Sequence, residues 1–482
     1  MKHPPIDPIT QQIPQANTMN VIEHCRISPP PGTVADQLLP LTFFDIPFIP
    51  LPHIQKLLFY EFHHHSKTHF TDTLIPHLKH SLSLTLKHFF PLAANLILPS
   101  SNSSNPQIRY AEGDSVSLVF SESSDDFNYL TGNQERNADQ FHLLIPQITN
   151  WSDSVTTVEV VPLAAIQVTL FPESGICFGF AYHHVLADGK AFHGFMKSWA
   201  SISKFGWSDA ELLGRGYLPF CDRTVIKDTI GLDTIYWRQV CEDWGKNYEI
   251  CQTQTTNYVR ATFIISRMDV QRLKELVMAR QHSIVQLHVS TFTVTCAYMW
   301  ICILKSRAST RVDSKNDDDD DDELEYFGFT ADCRGRLDPP MPATYFGNCL
   351  AFCFARATHG QLMEEKQGFF VAAESIGAAI AERLHEPEGV LKGAETWLSE
   401  LKSLKMDRLR SIAGSPKISL YEPDFGWGRP RKTEIISIDF TGAFSISECR
   451  DSQGDVEFGV SLPKITMDAF ASIFVNDLKK LM

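Results

Sequence analysis

Along this chain the apolar residues switch between the period of a helix face and that of a strand. Across residues 72–90 they recur three and four positions apart, and the pattern stops before Pro91, as an amphipathic helix would. Strand-like runs follow at 116–120, 156–161, 166–171 and 176–182. A helix is expected from just after Gly189, through Trp199 and towards Lys204. Residues 205–233 carry Gly206, Gly214, Gly216 and Pro219 and read as a long connection. The second half repeats the mixture, with helices at 269–280 and 291–305. Ser266 precedes the first of these, and Ser290 is a candidate cap for the second. Strands are expected at 324–331 and around 349–355, then helices at 366–384 and 389–402. Three more strand-like runs, 433–440, 443–449 and 456–461, lead to a last helix over 466–480. No segment repeats another. Strands mixed with helices in both halves argue for two layered α/β units.

Composition narrows the class. A chain of 482 residues, 43% apolar and 21% charged, can bury two sizeable cores and has the make-up of a soluble protein. No apolar stretch reaches the roughly 20 residues that span a bilayer. The start, Met1-Lys2-His3-Pro4-Pro5, has no apolar signal-peptide core. Eleven scattered cysteines without CxxC pairs fit reduced thiols and a cytoplasmic home. A net charge of -14 speaks against nucleic acid. It leaves room for an anionic small molecule held by a local cluster of cations and backbone N–H groups. The acidic run from Asp317 to Asp322 reads as a solvated loop. His63-His64-His65 with His69 cannot all converge on one metal, because side chains of a strand alternate faces. No metal is expected.

The chemistry concentrates where the run 176–182 ends, in Tyr182-His183-His184-Val185-Leu186-Ala187-Asp188-Gly189. A histidine held at a strand end is the side chain most easily kept neutral and basic near pH 7. An HxxxD match alone is weak, since it arises by chance in many chains. Cys177 lies close by, but on a strand it reads as packing. Asp188 invites a His–Asp dyad, yet Gly189 and the preceding strand suggest a turn that points the carboxylate away. Two further segments add weight: Tyr345-Phe346-Gly347-Asn348-Cys349 and Asp424-Phe425-Gly426-Trp427-Gly428.

In this order and with these long separations, the three segments resemble the BAHD acyltransferases of plants, which are acyl-coenzyme A-dependent. His184, Asp188 and Gly189 match the family's HxxxDG motif, and residues 424–428 match its DFGWG motif without substitution. Residues 345–349 match YFGNC, which marks the branch acylating anthocyanin and other flavonoid glucosides. The resemblance runs from Leu39-Pro40-Leu41-Thr42-Phe43-Phe44-Asp45 to Leu462-Pro463-Lys464.

The resemblance implies an α/β (α+β) fold of two chloramphenicol-acetyltransferase-like domains with a tunnel between them. The N-terminal domain would be 1–208 with 423–447 crossing back, 209–233 the connection, and 234–422 with 448–482 the C-terminal domain. It implies that His184, not His183, is the general base. The base takes a hydroxyl proton as the oxygen attacks the thioester, with no acyl-enzyme. That fits the lack of a GxSxG elbow. Asp188 would pair with Arg334 of the other domain and hold the site's shape. Asp424, Gly426, Trp427 and Gly428 would be architecture near the coenzyme A channel. Ser415, Arg429 and Lys432, with Arg431, are candidate phosphate partners, and Gly414-Ser415-Pro416 is a candidate for the oxyanion donor that the reaction needs. No cofactor is bound; the acyl-CoA is a co-substrate, and the protein is expected to be a monomer.

The donor is left between two chemistries. A malonyl group needs a cation for its free carboxylate, and a hydroxycinnamoyl group needs an apolar slot. The wording of residues 329–335, 389–400 and 459–470 looks like the anthocyanin aromatic acyltransferases, which leans towards coumaroyl or caffeoyl. Gly189 is a possible departure, because aromatic-type relatives can carry alanine there. The expected acceptor is a glucose hydroxyl, the primary 6-hydroxyl, of an anthocyanin or related flavonoid glucoside. The alternatives are a malonyltransferase of the same branch, a condensation domain whose carrier-domain signals are absent from the sequence, and a non-catalytic binding protein on this fold.

Overall fold

The two apolar runs nearest the histidines become the centre of one sheet. Ala164–Phe171 and Gly175–Tyr182 are buried at every position, as strands covered on both faces must be. They pair antiparallel in a six-stranded sheet. Its order is Asn20–Ile27, Val116–Glu122, Ala164–Phe171, Gly175–Tyr182, Ile54–Glu61 and Lys432–Ile435. On one face lies the helix Gly189–Phe205, whose Phe192 stacks on Tyr182 at 3.9 Å and whose Trp199 meets Phe178 edge-on at 5.5 Å. On the other face Leu57, Phe59 and Cys177 pack with Phe127, Phe141 and Phe171. The description rests on a computed structural model and covers residues 19–62, 66–99, 105–148, 151–152, 158–243, 257–280, 289–310, 321–384 and 389–481.

The second half builds its own sheet and core. Leu350–Thr358, Leu324–Asp332, Leu409–Gly414, Phe444–Glu448, Val456–Pro463, Tyr258–Ile265 and Arg136–Asn137 are neighbours in that order. The helix Thr291–Thr310 is buried along most of its length, and Cys296, Trp300 and Cys302 on it are inaccessible. It packs against the helices Gly368–Leu384 and Lys464–Leu481. A smaller sheet of Gln37–Pro40, Gln107–Tyr110, Asn95–Pro99, Val158–Pro162 and Trp151–Ser152 flanks the first domain.

The halves exchange strands. Lys432–Ile435 pairs antiparallel with Ile54–Glu61 of the first sheet, and Phe444–Glu448 is already back in the second. The returning segment therefore ends before Phe444, not at residue 447. In the other direction, Arg136–Asn137 pairs with Tyr258–Ile265. Buried ion pairs hold this exchange together. Glu434 on the crossing strand meets Arg136 at 2.7 Å and Arg260 at 3.0 Å, and Arg260 also pairs with Asp439.

Several elements differ from expectation for local reasons. The helix expected at 72–90 starts at Lys67, where Ser66 accepts a hydrogen bond from His69 N–H, and after a wider turn at Phe70–Leu74 it ends at Leu86. The helix expected at 389–402 is helical only from Ala394, because Gly389 and Gly393 take φ values of 96° and 69°. The strand expected at 433–440 pairs only over Lys432–Ile435 and then becomes the helical turn Ile438–Thr441. The connection 205–233 holds a short helix, Asp209–Gly214, with a capping box from Ser208 and Glu211. His63-His64-His65 and Asp317–Asp320 lie outside the described residues. Among the described residues no group of side chains could hold a metal ion.

Candidate active site

The strand Gly175–Tyr182 delivers His184 to the boundary between the two sheets. Its ring stacks on Phe48 at 4.0 Å with planes 6° apart. Nδ1 lies 3.1 Å from Asn348 Oδ1. Asn348 Nδ2 donates to the His184 carbonyl at 2.8 Å and to Asp45 Oδ1 at 2.9 Å. With both acceptors on the Nδ2 side, the amide oxygen is the atom that faces the ring, so Nδ1 must carry the proton. The lone pair is then on Nε2. Desolvation pushes the His184 pKa below its ordinary value, opposed by its own carbonyl, Asp188, Asn348 and Asp45. The ring is neutral at pH 7 and has a free basic nitrogen.

His183 belongs to a different environment. It is buried, its Nδ1 accepts from Val185 N–H at 3.3 Å, and burial with the nearby His53 and His184 rings pushes its pKa down to about 3. Its Nδ1 lone pair is already engaged.

Asp188 turns away from the imidazole, as the glycine after it suggests. It caps the helix Gly189–Phe205, with Oδ1 accepting from Ala191 N–H at 3.0 Å. Its other oxygen lies 2.8 Å from Arg334 and accepts from Cys349 N–H at 3.2 Å. Arg334 continues to the carbonyls of Tyr345 and Gly347, each at 3.1 Å. One ion pair thus ties the helix start of the first domain to the YFGNC segment of the second. Gly189 is not sterically required, since a Cβ there would meet only Ile418 Cδ1 at an ordinary 3.5 Å.

Besides Phe48, two residues of the site escaped sequence reasoning. Asp45 and Arg223 are fully buried and lie 2.6 Å apart. Arg223 also donates to the carbonyls of Val185 and Leu186 at 3.2 and 3.0 Å, the turn that follows His184. The only signal was Asp45 closing the segment Leu39–Asp45; an arginine inside a connection carries none.

The DFGWG segment lies against the motif strand. Asp424 Oδ1 accepts from Gly426 and Gly428 N–H at 2.8 and 3.0 Å, both glycines having positive φ, and Oδ2 pairs with Lys204 at 2.5 Å. Phe425 stacks on Phe178 at 4.5 Å, and Trp427 meets Tyr60 and Phe62 edge-on. This arrangement fixes where the crossing strand enters the first sheet.

A sequence model of the Transferase family matches residues 18–476. The chain is 42% identical to phenolic glucoside malonyltransferase 1 of Nicotiana tabacum, over 96% of this chain and 100% of that protein. It is 40% identical to malonyl-coenzyme A:anthocyanin 3-O-glucoside-6''-O-malonyltransferase of Dahlia pinnata, over 96% and 98%. The chain belongs to the BAHD acyltransferases. Arabidopsis thaliana coumaroyl-CoA:anthocyanidin 3-O-glucoside-6''-O-coumaroyltransferase 2 is 36% identical over 97% of this chain and 99% of its own. The fold matches the crystal structure of vinorine synthase with a TM-score of 0.61, at 19% identity over 94% of this chain and 96% of that one. It also matches that of F. graminearum TRI101 with a TM-score of 0.63, at 14% identity over 92% and 98%. This BAHD enzyme is thus an acyl-CoA-dependent O-acyltransferase with two chloramphenicol-acetyltransferase-like domains.

The candidate phosphate partners of this BAHD acyltransferase already have partners within the protein. Lys432 is buried and donates to Glu457 at 2.8 Å and Asn133 at 2.9 Å, so its charge is neutralised inside the protein. That removes it as a phosphate ligand. Arg429 is exposed and its Nε donates to the Tyr421 carbonyl. Arg431 pairs with Glu61 at 2.8 Å. Ser415 Oγ accepts from Lys417 N–H at 3.2 Å in a half-buried loop.

One buried cation has no hydrogen bond or ion pair among the described residues. Lys56, on the strand beside Gly175–Tyr182, is 6% exposed, and no hydrogen bond or ion pair reaches its Nζ among the described residues. Burial lowers its pKa to about 8, opposed by Glu448. Close enough to feel its charge is His193, on the second turn of the helix that Asp188 caps. Both ring nitrogens of His193 are buried without a hydrogen bond, Nε2 standing 3.9 Å from Glu422.

Proposed function

We propose that this enzyme transfers an acyl group from acyl-CoA to a glucose hydroxyl of an anthocyanin or related phenolic glucoside, with His184 as general base. The observation that carries the reading is the free Nε2 of a neutral His184 at the boundary of the two domains. The sugar O–H gives its proton to Nε2 as the oxygen attacks the thioester carbonyl. When the tetrahedral intermediate collapses, the C–S bond breaks and the imidazolium returns the proton to the departing sulfur. The base ends each cycle as it began, and no residue is acylated.

For the donor we favour malonyl over the hydroxycinnamoyl group suggested by residues 329–335, 389–400 and 459–470. Three relatives named as malonyltransferases share 42, 40 and 38% of their residues with this chain and three more share 35, 33 and 32%, with the two named as coumaroyltransferases between them at 36 and 37%, so it is the upper end of the range that leans towards malonyl. Lys56 supports the same choice. An unpaired buried ammonium is costly, and a malonyl carboxylate would neutralise it, whereas a coumaroyl ring would not. A cytoplasmic monomer remains our expectation; among the described residues no helix is long and apolar enough to cross a membrane.

A competition assay separates the donors. Given an anthocyanin glucoside and equimolar malonyl-, p-coumaroyl- and caffeoyl-CoA, the wild type is expected to yield mainly the malonyl ester by mass. Lys56→Met is expected to lower the malonyl-to-coumaroyl product ratio at least tenfold. A coumaroyl or caffeoyl ester as main product would restore the aromatic reading and leave His184 in place. Absence of any ester would turn the question to the acceptor, and then to a binding protein on this fold.

A further inference from the structure

The protonation pattern of His184 depends on which way the Asn348 amide faces, and the structure contains a reason for that orientation. Asp45 lies inaccessible beneath it. One carboxylate oxygen accepts from Asn348 Nδ2 at 2.9 Å and from Asn348 backbone N–H at 3.3 Å. The other accepts from Thr42 N–H at 2.9 Å, Thr42 Oγ1 at 2.8 Å and Arg223 Nη1 at 2.6 Å. A carboxylate offers acceptors on both sides and no donor. Together with the His184 carbonyl, which accepts from the same Nδ2 at 2.8 Å, it holds Asn348 with Nδ2 downward and Oδ1 to the imidazole.

We propose that Asp45 is a positioning residue that sets the tautomer of the catalytic base through Asn348, with Arg223 anchoring Asp45 to the turn after His184. The mechanism runs through polarity matching alone. In Asp45→Asn, the amide has one oxygen for two sets of donors. The side facing Thr42 and Arg223 presents three of them, one a guanidinium, and takes the oxygen. The new NH2 then faces Asn348 Nδ2, donor against donor. Rotating the Asn348 amide relieves that conflict, at the loss of its 2.8 Å bond to the His184 carbonyl, and turns its NH2 towards His184 Nδ1. Nδ1 must now accept, so the proton moves to Nε2, and the nitrogen that should take the sugar proton already holds one. The arrangement spans the fold: Asp45 comes from the N-terminal segment, Arg223 from the connection, and Asn348 from the second domain. The base is poised only when the two domains are docked.

The test is a cycle of variants in the full-length enzyme, read by kcat and KM separately. Asp45→Asn is expected to lower kcat on the order of 10²–10⁴-fold, the usual contribution of a general base, with KM for acyl-CoA changed less than threefold. Asn348→Leu removes the switching amide and is expected to cost a similar factor. In the Asn348→Leu background, Asp45→Asn should then cost little more, because the tautomer is already released. Turnover of Asp45→Asn within fivefold of wild type would overturn the proposal. So would a loss that multiplies in full onto that of Asn348→Leu, which would mark Asp45 as a purely structural anchor. If Asp45→Asn does not fold, Asn348→Leu alone decides: wild-type turnover contradicts the proposal, and a loss on the stated scale with unchanged KM supports it.

Discussion

At the scale of single residues, the site rests on keeping one imidazole neutral and one of its nitrogens bare. Desolvation against Phe48 and the domain boundary holds the His184 pKa down, so protonation of the base begins only below the ordinary histidine range. The sign follows directly. A base must be unprotonated to act, and a lowered pKa moves the acid limb of kcat/KM to lower pH. We expect the acid limb of kcat/KM to lie below about pH 6.5, the ordinary histidine value. A pH profile with an acid limb centred at or above that value would contradict this account. His184 and Asp188 could be picked from the sequence because their motif is local. Phe48, Asp45 and Arg223 could not, since each reaches the site from tens to hundreds of positions away and no spacing rule links them.

Among elements, the decisive unit is strand, turn and helix over Gly175–Phe205. Every feature that sets it is written locally: a continuous apolar run for a strand buried on both faces, an aspartate at the N-cap, and a helix with Phe192, Phe195 and Trp199 on its inner side. That is why residues 176–182 and the start at Gly189 were legible. Where local signals misled, a glycine or a missing partner explains it. Gly393 breaks an expected helix, and beyond Ile436, whose N–H still reaches the Gln55 carbonyl at 2.8 Å, the chain coils into the helical turn Ile438–Thr441. Asp188 joins this unit to Arg334, both essentially inaccessible. Removing one member leaves a buried charge unpaired, at a cost of about 3–5 kcal/mol. Asp188→Ala is accordingly expected to shift the urea unfolding midpoint markedly downward, with part of the protein expressed insoluble. An unchanged midpoint together with abolished turnover would instead assign Asp188 a direct part in the chemistry.

In the whole molecule, the site exists only because two separately built sheets share strands and buried ions. Lys432–Ile435 carries Glu434 into the first sheet, where Arg136 and Arg260 from either half neutralise it. The alternation of strands and helices made two α/β layers visible in the sequence, but which strand crosses over is a matter of long-range pairing that periodicity does not encode. A net charge of -14 would repel an anionic acyl-CoA at long range, so binding must rely on local cations, and Lys56 is a buried one without a hydrogen bond or ion pair among the described residues. Direct transfer at His184, between the domains, is what we propose. Its most direct test compares wild type with His184→Gln in single-turnover transfer from malonyl-CoA to an anthocyanin 3-O-glucoside, following ester, free coenzyme A and intact protein by mass. The account predicts one coenzyme A released per ester, no acyl mass on the protein, and a rate on the order of 10²–10⁴-fold lower in His184→Gln with acyl-CoA binding retained. Wild-type rates in His184→Gln, or an acylated protein accumulating before the ester, would contradict it.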